Sequence, residues 1–167
     1  MKMEHIRVRH CVVVPAIFLV LSAFAAAKES ERGKETYVCS EPHPESVCSS
    51  ANTCGNSSSA CTVEVKRTTS EAQVTPDIPM AKGNMPFCVK VGTTITWKGS
   101  SKNTGFVVDF GPDSPFEPAA PIIGGSDRPV STVVKKAGCY KYSTGACISG
   151  SISGMCGSVE TNLIITE

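Results

Sequence analysis

Histidine is nearly missing from this sequence. Of 167 residues only His5, His10 and His43 are histidines, and none lies between Pro44 and Glu167. Hydrolytic triads and most general acid or base catalysis draw on an imidazole, so the larger part of the chain has no side chain suited to that work. Cys-x-x-Cys pairs are absent as well, which argues against zinc ribbons and against a thioredoxin-type redox pair. No Asp-x-Asp-x-Asp-Gly run marks a calcium loop, and no block of like charge points to nucleic acid or to an anionic lipid surface. From Cys61 on, no window shows convincing helical periodicity.

The longest apolar run is Cys11 to Ala27. It is shorter than the ~20 residues a membrane span needs, and Pro15 and Ser22 interrupt it. It follows a basic start, Lys2, Arg7 and Arg9, and ends in Ala25-Ala26-Ala27, the small residues that a signal peptidase reads. Residues 1–27 are therefore expected to be a signal peptide cleaved after Ala27, the rival being a retained anchor. Export makes the product secreted or periplasmic, with no stable membrane anchor. Past Ala27 the chain has 140 residues, with 13 basic and 14 acidic side chains and a net charge of −1. That is enough for one domain with some chain to spare.

Removing the leader also removes Cys11 and leaves an even set of eight: Cys39, Cys48, Cys54, Cys61, Cys88, Cys139, Cys147 and Cys156. In an exported chain an even set reads as disulfides. Residues 28–60 are polar and serine-rich, with almost no aliphatic side chains, and cannot order themselves by burial. Cys39, Cys48 and Cys54, with Cys61, are expected to tie this extension into small loops. Asn56-Ser57-Ser58 matches an N-glycosylation sequon, which matters only in a eukaryotic host.

From Cys61 the pattern changes to short alternating runs: Thr62 to Lys66, Phe87 to Val91, Thr93 to Trp97, Phe106 to Phe110, Val130 to Lys136, Cys139 to Ser143 and Val159 to Thr166. About seven strands without helices predict an all-β, two-sheet Greek-key sandwich stapled by disulfides over residues 61–167. Trp97, the only tryptophan, is assigned to the core. Pro112, Pro115, Pro118, Pro121 and Pro129 make Gly111 to Pro129 a long connection barred from central pairing. Gly124-Gly125 and Gly145 read as turns.

Val89-Lys90-Val91-Gly92-Thr93-Thr94-Ile95-Thr96-Trp97, Phe106-Val107-Val108-Asp109-Phe110, Ala137-Gly138-Cys139-Tyr140-Lys141-Tyr142 and Gly154-Met155-Cys156-Gly157 together resemble the cupredoxins, the blue-copper domains that include plastocyanin and pseudoazurin. The resemblance runs from about Thr62 to Thr166 and implies a cupredoxin-like fold. Blue copper needs one thiolate and two imidazoles in a trigonal plane, with a weak axial methionine. The resemblance places the first histidine position at or next to Phe106, the thiolate position at Thr144, the second histidine position at Cys147 and the axial position at Met155. Only the methionine survives, so the copper site is expected to be degenerate and no cofactor is expected.

If Cys147 and Cys156 pair, they close the loop where the family wraps its ligands, a closure worth about 2.7 kcal/mol on the chain-entropy model. Cys88 with Cys139 is the other favoured pair. The rivals are a sulfur-based site, with Cu(I) on Cys147 and Met155 or zinc on four thiolates, and an enzyme using carboxylates among Asp109, Asp113, Glu117 and Asp127. The expected function is a non-catalytic, exported binding or structural module. Its working surface would be Phe106, the connection Ser114 to Ile123 and the loop Thr144 to Gly154, its partner an extracellular or periplasmic ligand or protein and not nucleic acid.

Overall fold

The computed structural model describes residues 39–149 and 156–167; the leader at 1–27 and Met155 lie outside the described residues. One helical turn, α1 (Pro44–Val47), precedes nine strands: β1 (Cys61–Arg67), β2 (Ala72–Pro76), β3 (Phe87–Lys90), β4 (Thr94–Gly99), β5 (Thr104–Asp109), β6 (Ile122–Gly125), β7 (Val130–Val133), β8 (Gly138–Ile148) and β9 (Cys156–Thr166). They form two sheets, a four-stranded one in the order β2-β1-β4-β7 and a five-stranded one in the order β3-β9-β8-β5-β6. The chain passes from sheet to sheet between β2 and β3, β3 and β4, β4 and β5, β6 and β7, and β7 and β8. Such crossings, with parallel pairs β1/β4 and β3/β9, build the disulfide-stapled sandwich expected from the sequence.

Alternation explains the core. Val63 and Val65 on β1, Ile95 and Trp97 on β4, Phe106 and Val108 on β5, Tyr142 and Ala146 on β8, and Leu163 and Ile165 on β9 all point inward and are buried. Successive side chains of a strand face opposite ways, so the spacing of two in the sequence fills one interior from both sheets. Trp97 stands edge-on to Phe110 and Tyr142 at 6.4 and 6.0 Å between ring centres, the geometry aromatic quadrupoles favour.

Two strands exceed the expected set. β2 and β6 are both edges, and each ends where the sequence reads as a turn: Pro76 on β2, Gly124-Gly125 on β6. Both glycines are strand residues rather than turns, paired with β5, and at Gly124 the interior leaves no room for a side chain. A Cβ on Gly124 would lie 2.6 Å from the Phe106 ring and 2.9 Å from the Arg128 carbonyl oxygen. Gly145 likewise belongs to β8, opposite Val107. β8 also runs on through Thr144 to Ile148, so the first half of the anticipated recognition loop is sheet, paired on both sides by β5 and β9; Gly150 to Gly154 lies outside the described residues.

The cysteine pairing departs from expectation in one respect and agrees in another. Cys147 bonds Cys156 and Cys54 bonds Cys61, but Cys39 bonds Cys139 and Cys48 bonds Cys88. The pair Cys88–Cys139 is ruled out by register. Ile164 of β9 is the neighbour of Cys88 on one side and of Cys139 on the other, so the two cysteines stand two strand spacings apart, roughly 9.5 Å, beyond the ~7 Å a disulfide spans. Each instead takes a partner from the extension. Backbone bonds follow the same path: the Cys54 N–H donates to the Cys88 carbonyl at 2.8 Å, and the Cys88 N–H donates to the Asn52 carbonyl at 2.9 Å. Cys39 and Cys48 therefore fasten the extension across the β3 edge, while Cys54–Cys61 closes a small loop of the expected kind.

Candidate functional site

The positions that the cupredoxin resemblance singles out do not meet in one cluster. Phe106 and Thr144 lie on neighbouring strands and both face the interior, where they are buried. Cys147 sits at odd spacing from Thr144 on β8, hence on the opposite, outer face, and there bonds Cys156 directly across the β8–β9 pair. Met155 lies outside the described residues.

A phenyl ring and a threonine hydroxyl are not copper ligands, and a cysteine held in a disulfide offers no thiolate. The interior around Thr144 is instead an aromatic stack. The Tyr142 ring lies against Phe110 at 4.6 Å, and Phe110 meets Phe116 edge-on at 5.1 Å. Neither the Tyr142 phenol nor the Thr144 hydroxyl has a hydrogen-bond partner among the described residues. Complete burial pushes the Tyr142 phenol far above its ordinary value of 10.0, because an anion there would lose its hydration without gaining a counter-charge. Tyr140, less buried, is raised by desolvation and by the charge of Asp113. Phe106, Thr144 and the disulfide-bonded Cys147 do not fit a copper ion.

All eight cysteines from Cys39 onward are in disulfides, so a sulfur-based metal site has no free thiol among the described residues. His43 is exposed in the extension, 3.8 Å from Glu45. Among the described residues no three His, Cys, Asp or Glu side chains gather as metal ligands would; the Asp109 carboxylate accepts from the Gly111 N–H at 2.9 Å.

The proline-rich connection is where an opening appears. Its first half is anchored: Ser114, Pro115 and Phe116 are buried, Phe116 plugs into the aromatic stack, and the Ser114 hydroxyl accepts from the Phe116 N–H at 3.2 Å. The stretch 117–121 then stands outside the core. Between it and β7 lies a cleft of about 320 Å³ lined chiefly by Phe116, Pro118, Pro121, Ile123, Val130 and Thr132. Ile123 is 62% exposed at its rim, more than any other large apolar side chain among the described residues. A second cleft, about 410 Å³, lies over Lys102, Asn103, Gly105, Asp127 and Arg128, with charges of both signs and no aromatic wall. Of the anticipated surface, then, the structure keeps the connection, puts Phe106 inside the core and turns the start of the third segment into strand. Val130 and Thr132, on the opposite wall of the cleft, are missed by sequence reasoning, since their run reads only as a strand; the signal was the proximity of a long proline-rich segment to a short edge.

No family model matches the chain, and no curated protein matches it. Among solved structures it is similar to a reduced Cu(I) form of an amicyanin variant, at 15% identity and a TM-score of 0.35, covering 79% of this chain and 100% of that one. It is similar to the oxidised state of another amicyanin variant at 14% and 0.35, with the same coverage. The copper protein rusticyanin follows at 15% and 0.32, covering 78% of this chain and 96% of the other. Likeness at this level carries no argument about function, and the sandwich rests on its own strand pairing.

Proposed function

We propose that this protein is an exported, non-catalytic binding module on a cupredoxin-like sandwich, with no type 1 copper site, that recognises its partner through the apolar cleft beside the proline-rich connection. The observation that carries the reading is the cleft itself, with the exposed Ile123 at its rim and a wall anchored by Phe116. Concave, largely apolar sites held by a rigid scaffold are where binding concentrates. Four disulfides support export to an oxidising compartment, and no helix among the described residues is long and apolar enough to cross a membrane.

Panning a random peptide library against the oxidised protein, with Ile123→Asp as the counter-selection, tests this. Enrichment on the parent that is lost on Ile123→Asp is expected. Peptides indifferent to that substitution, or none at all, would overturn the cleft as the recognition site. Copper bound at about one per chain, with a thiolate-to-copper charge-transfer band, would overturn the rest.

A further inference from the structure

The sandwich has four sheet edges, and among the described residues three of them are occupied wholly or in part. On β3 the outward groups of Cys88 are taken by Asn52 and Cys54 of the extension. On β2 the outward Val74 N–H donates to the Asn84 carboxamide oxygen at 2.7 Å, the Ala72 carbonyl accepts from the Asn84 amide at 3.2 Å, and Pro76 has no N–H to offer. On β6 the Gly125 N–H donates to the Arg128 carbonyl at 3.0 Å, leaving Ile123 as the one open position.

β7 differs. Its register with β4 pairs Thr94 with Val133, Ile95 with Thr132, Thr96 with Ser131 and Trp97 with Val130. The Val134 N–H donates to the Thr93 carbonyl, which fixes the phase of the antiparallel ladder: Val130 and Thr132 bond β4, while Ser131 and Val133 turn their N–H and C=O groups away from it. Lys135, next in the same phase, confirms the direction, because its N–H donates outward to the Pro115 carbonyl at 2.9 Å. Two consecutive outward positions, Ser131 and Val133, therefore face the open side of the sheet, directly above the cleft that Val130 and Thr132 line. An edge of this kind is a template for another strand.

We propose that β7 captures an extended segment of a partner protein by strand addition, with acidic residues flanking the segment's apolar centre; this rests on the cleft reading above and names its mode. Backbone bonds to Ser131 and Val133 would supply affinity, and alternate side chains of the incoming strand would enter the cleft. The flanks set the charge. Lys135 and Lys136 follow β7 and Arg128 precedes it beside Asp127, so the basic excess lies at the C-terminal end of the strand, with Glu117 the single acidic residue lining the cleft. A second copy of this chain is the poorer occupant. Two-fold antiparallel pairing of β7 with itself, Ser131 against Val133, sets Arg128 opposite Lys136 at both ends, and like charges directly opposed are destabilising.

The test uses the oxidised protein and two peptide libraries, Asp-Glu-X6-Glu-Asp and Lys-Lys-X6-Lys-Lys, where X is any residue. Enrichment from the acidic library alone is expected, with slowed amide exchange at Ser131 and Val133 when a selected peptide is bound. Val133→Pro removes an outward N–H without touching the β4 ladder, and is expected to weaken that peptide about tenfold; the exchange measurement stands on its own should the variant not fold. Peptides that depend on Ile123 but leave both amides unprotected would sink strand addition and spare the cleft. Preference for the lysine-flanked library would sink the charge assignment, and no enrichment from either would sink both proposals. A dimer in sedimentation that protects Ser131 and Val133 without peptide would make the occupant a second copy.

Discussion

The outer face of the five-stranded sheet is divided along its length into two halves that share a backbone architecture and differ in what lies above them. β9 shows the change within one strand. From Cys156 to Glu160 its residues alternate between exposed and half-buried, and from Thr161 to Ile165 every residue is buried. The switch occurs where the extension crosses: the Asn162 carboxamide donates to the Ser40 hydroxyl at 2.9 Å, and Cys39 and Cys48 bond the flanking strands. On the other half, Val107 and Ile123 face outward with 38% and 62% of their surface exposed. A strand's second face becomes core only when something else in the chain is held over it. Here that covering is polar and has little apolar surface of its own, so covalent bonds do what burial would do elsewhere.

The strongest way to break the contrast is to release the cover. Cys39→Ala with Cys139→Ala opens a cross-link with a sequence separation of 100, and is expected to cost about 5 kcal/mol in urea unfolding; a loss below that of the short Cys54–Cys61 link, about 2.5 kcal/mol by the same reasoning, would show that the extension stays docked without it. Next comes Ile164→Ala, which removes the side chain between Cys88 and Cys139. At 4% exposure it should cost about 3 kcal/mol, as a core site does.

The interior offers a pH probe that leaves both halves untouched. Unfolding lets the Tyr142 phenol ionise near its ordinary 10.0, while the folded side chain stays neutral. The contribution is therefore fully present below pH 10, and above it the unfolded chain binds fewer protons, so stability should fall by about 1.4 kcal/mol per pH unit. Tyr142→Phe should remove that part of the alkaline slope without loss at pH 7, because the hydroxyl it deletes has no partner among the described residues; an unchanged slope would place the effect elsewhere. The smallest effect belongs to the open half. Val107→Ala, on the same sheet face as Ile164 but uncovered, should change stability by no more than about 0.5 kcal/mol. Equal costs for Val107→Ala and Ile164→Ala would erase the distinction between the halves.

Most of the sandwich was legible from alternation. The runs at Thr62 to Lys66, Phe87 to Val91 and Phe106 to Phe110 became β1, β3 and β5 with little change, since a period of two over a half-buried sheet is a local property. Ala72 to Pro76 alternates equally well but is short and set between turn residues. Ile122 to Gly125 was hidden for a different reason: its glycines look like punctuation until Phe106 is seen pressing against Gly124. The candidate site was half legible. Proline spacing located the connection, whereas the cleft exists only because β7 happens to lie across from it.

By itself the sequence determined the class of the fold and the lack of an imidazole in residues 44–167, because strand periodicity is written residue by residue and folding does not change composition. Which cysteine meets which, which face of β9 is covered and which edge is left open were decided only by the tertiary structure. Those depend on register and on distances between residues far apart in the chain: Cys88 and Cys139 are kept from each other by a single intervening strand, and no local pattern encodes that strand's position.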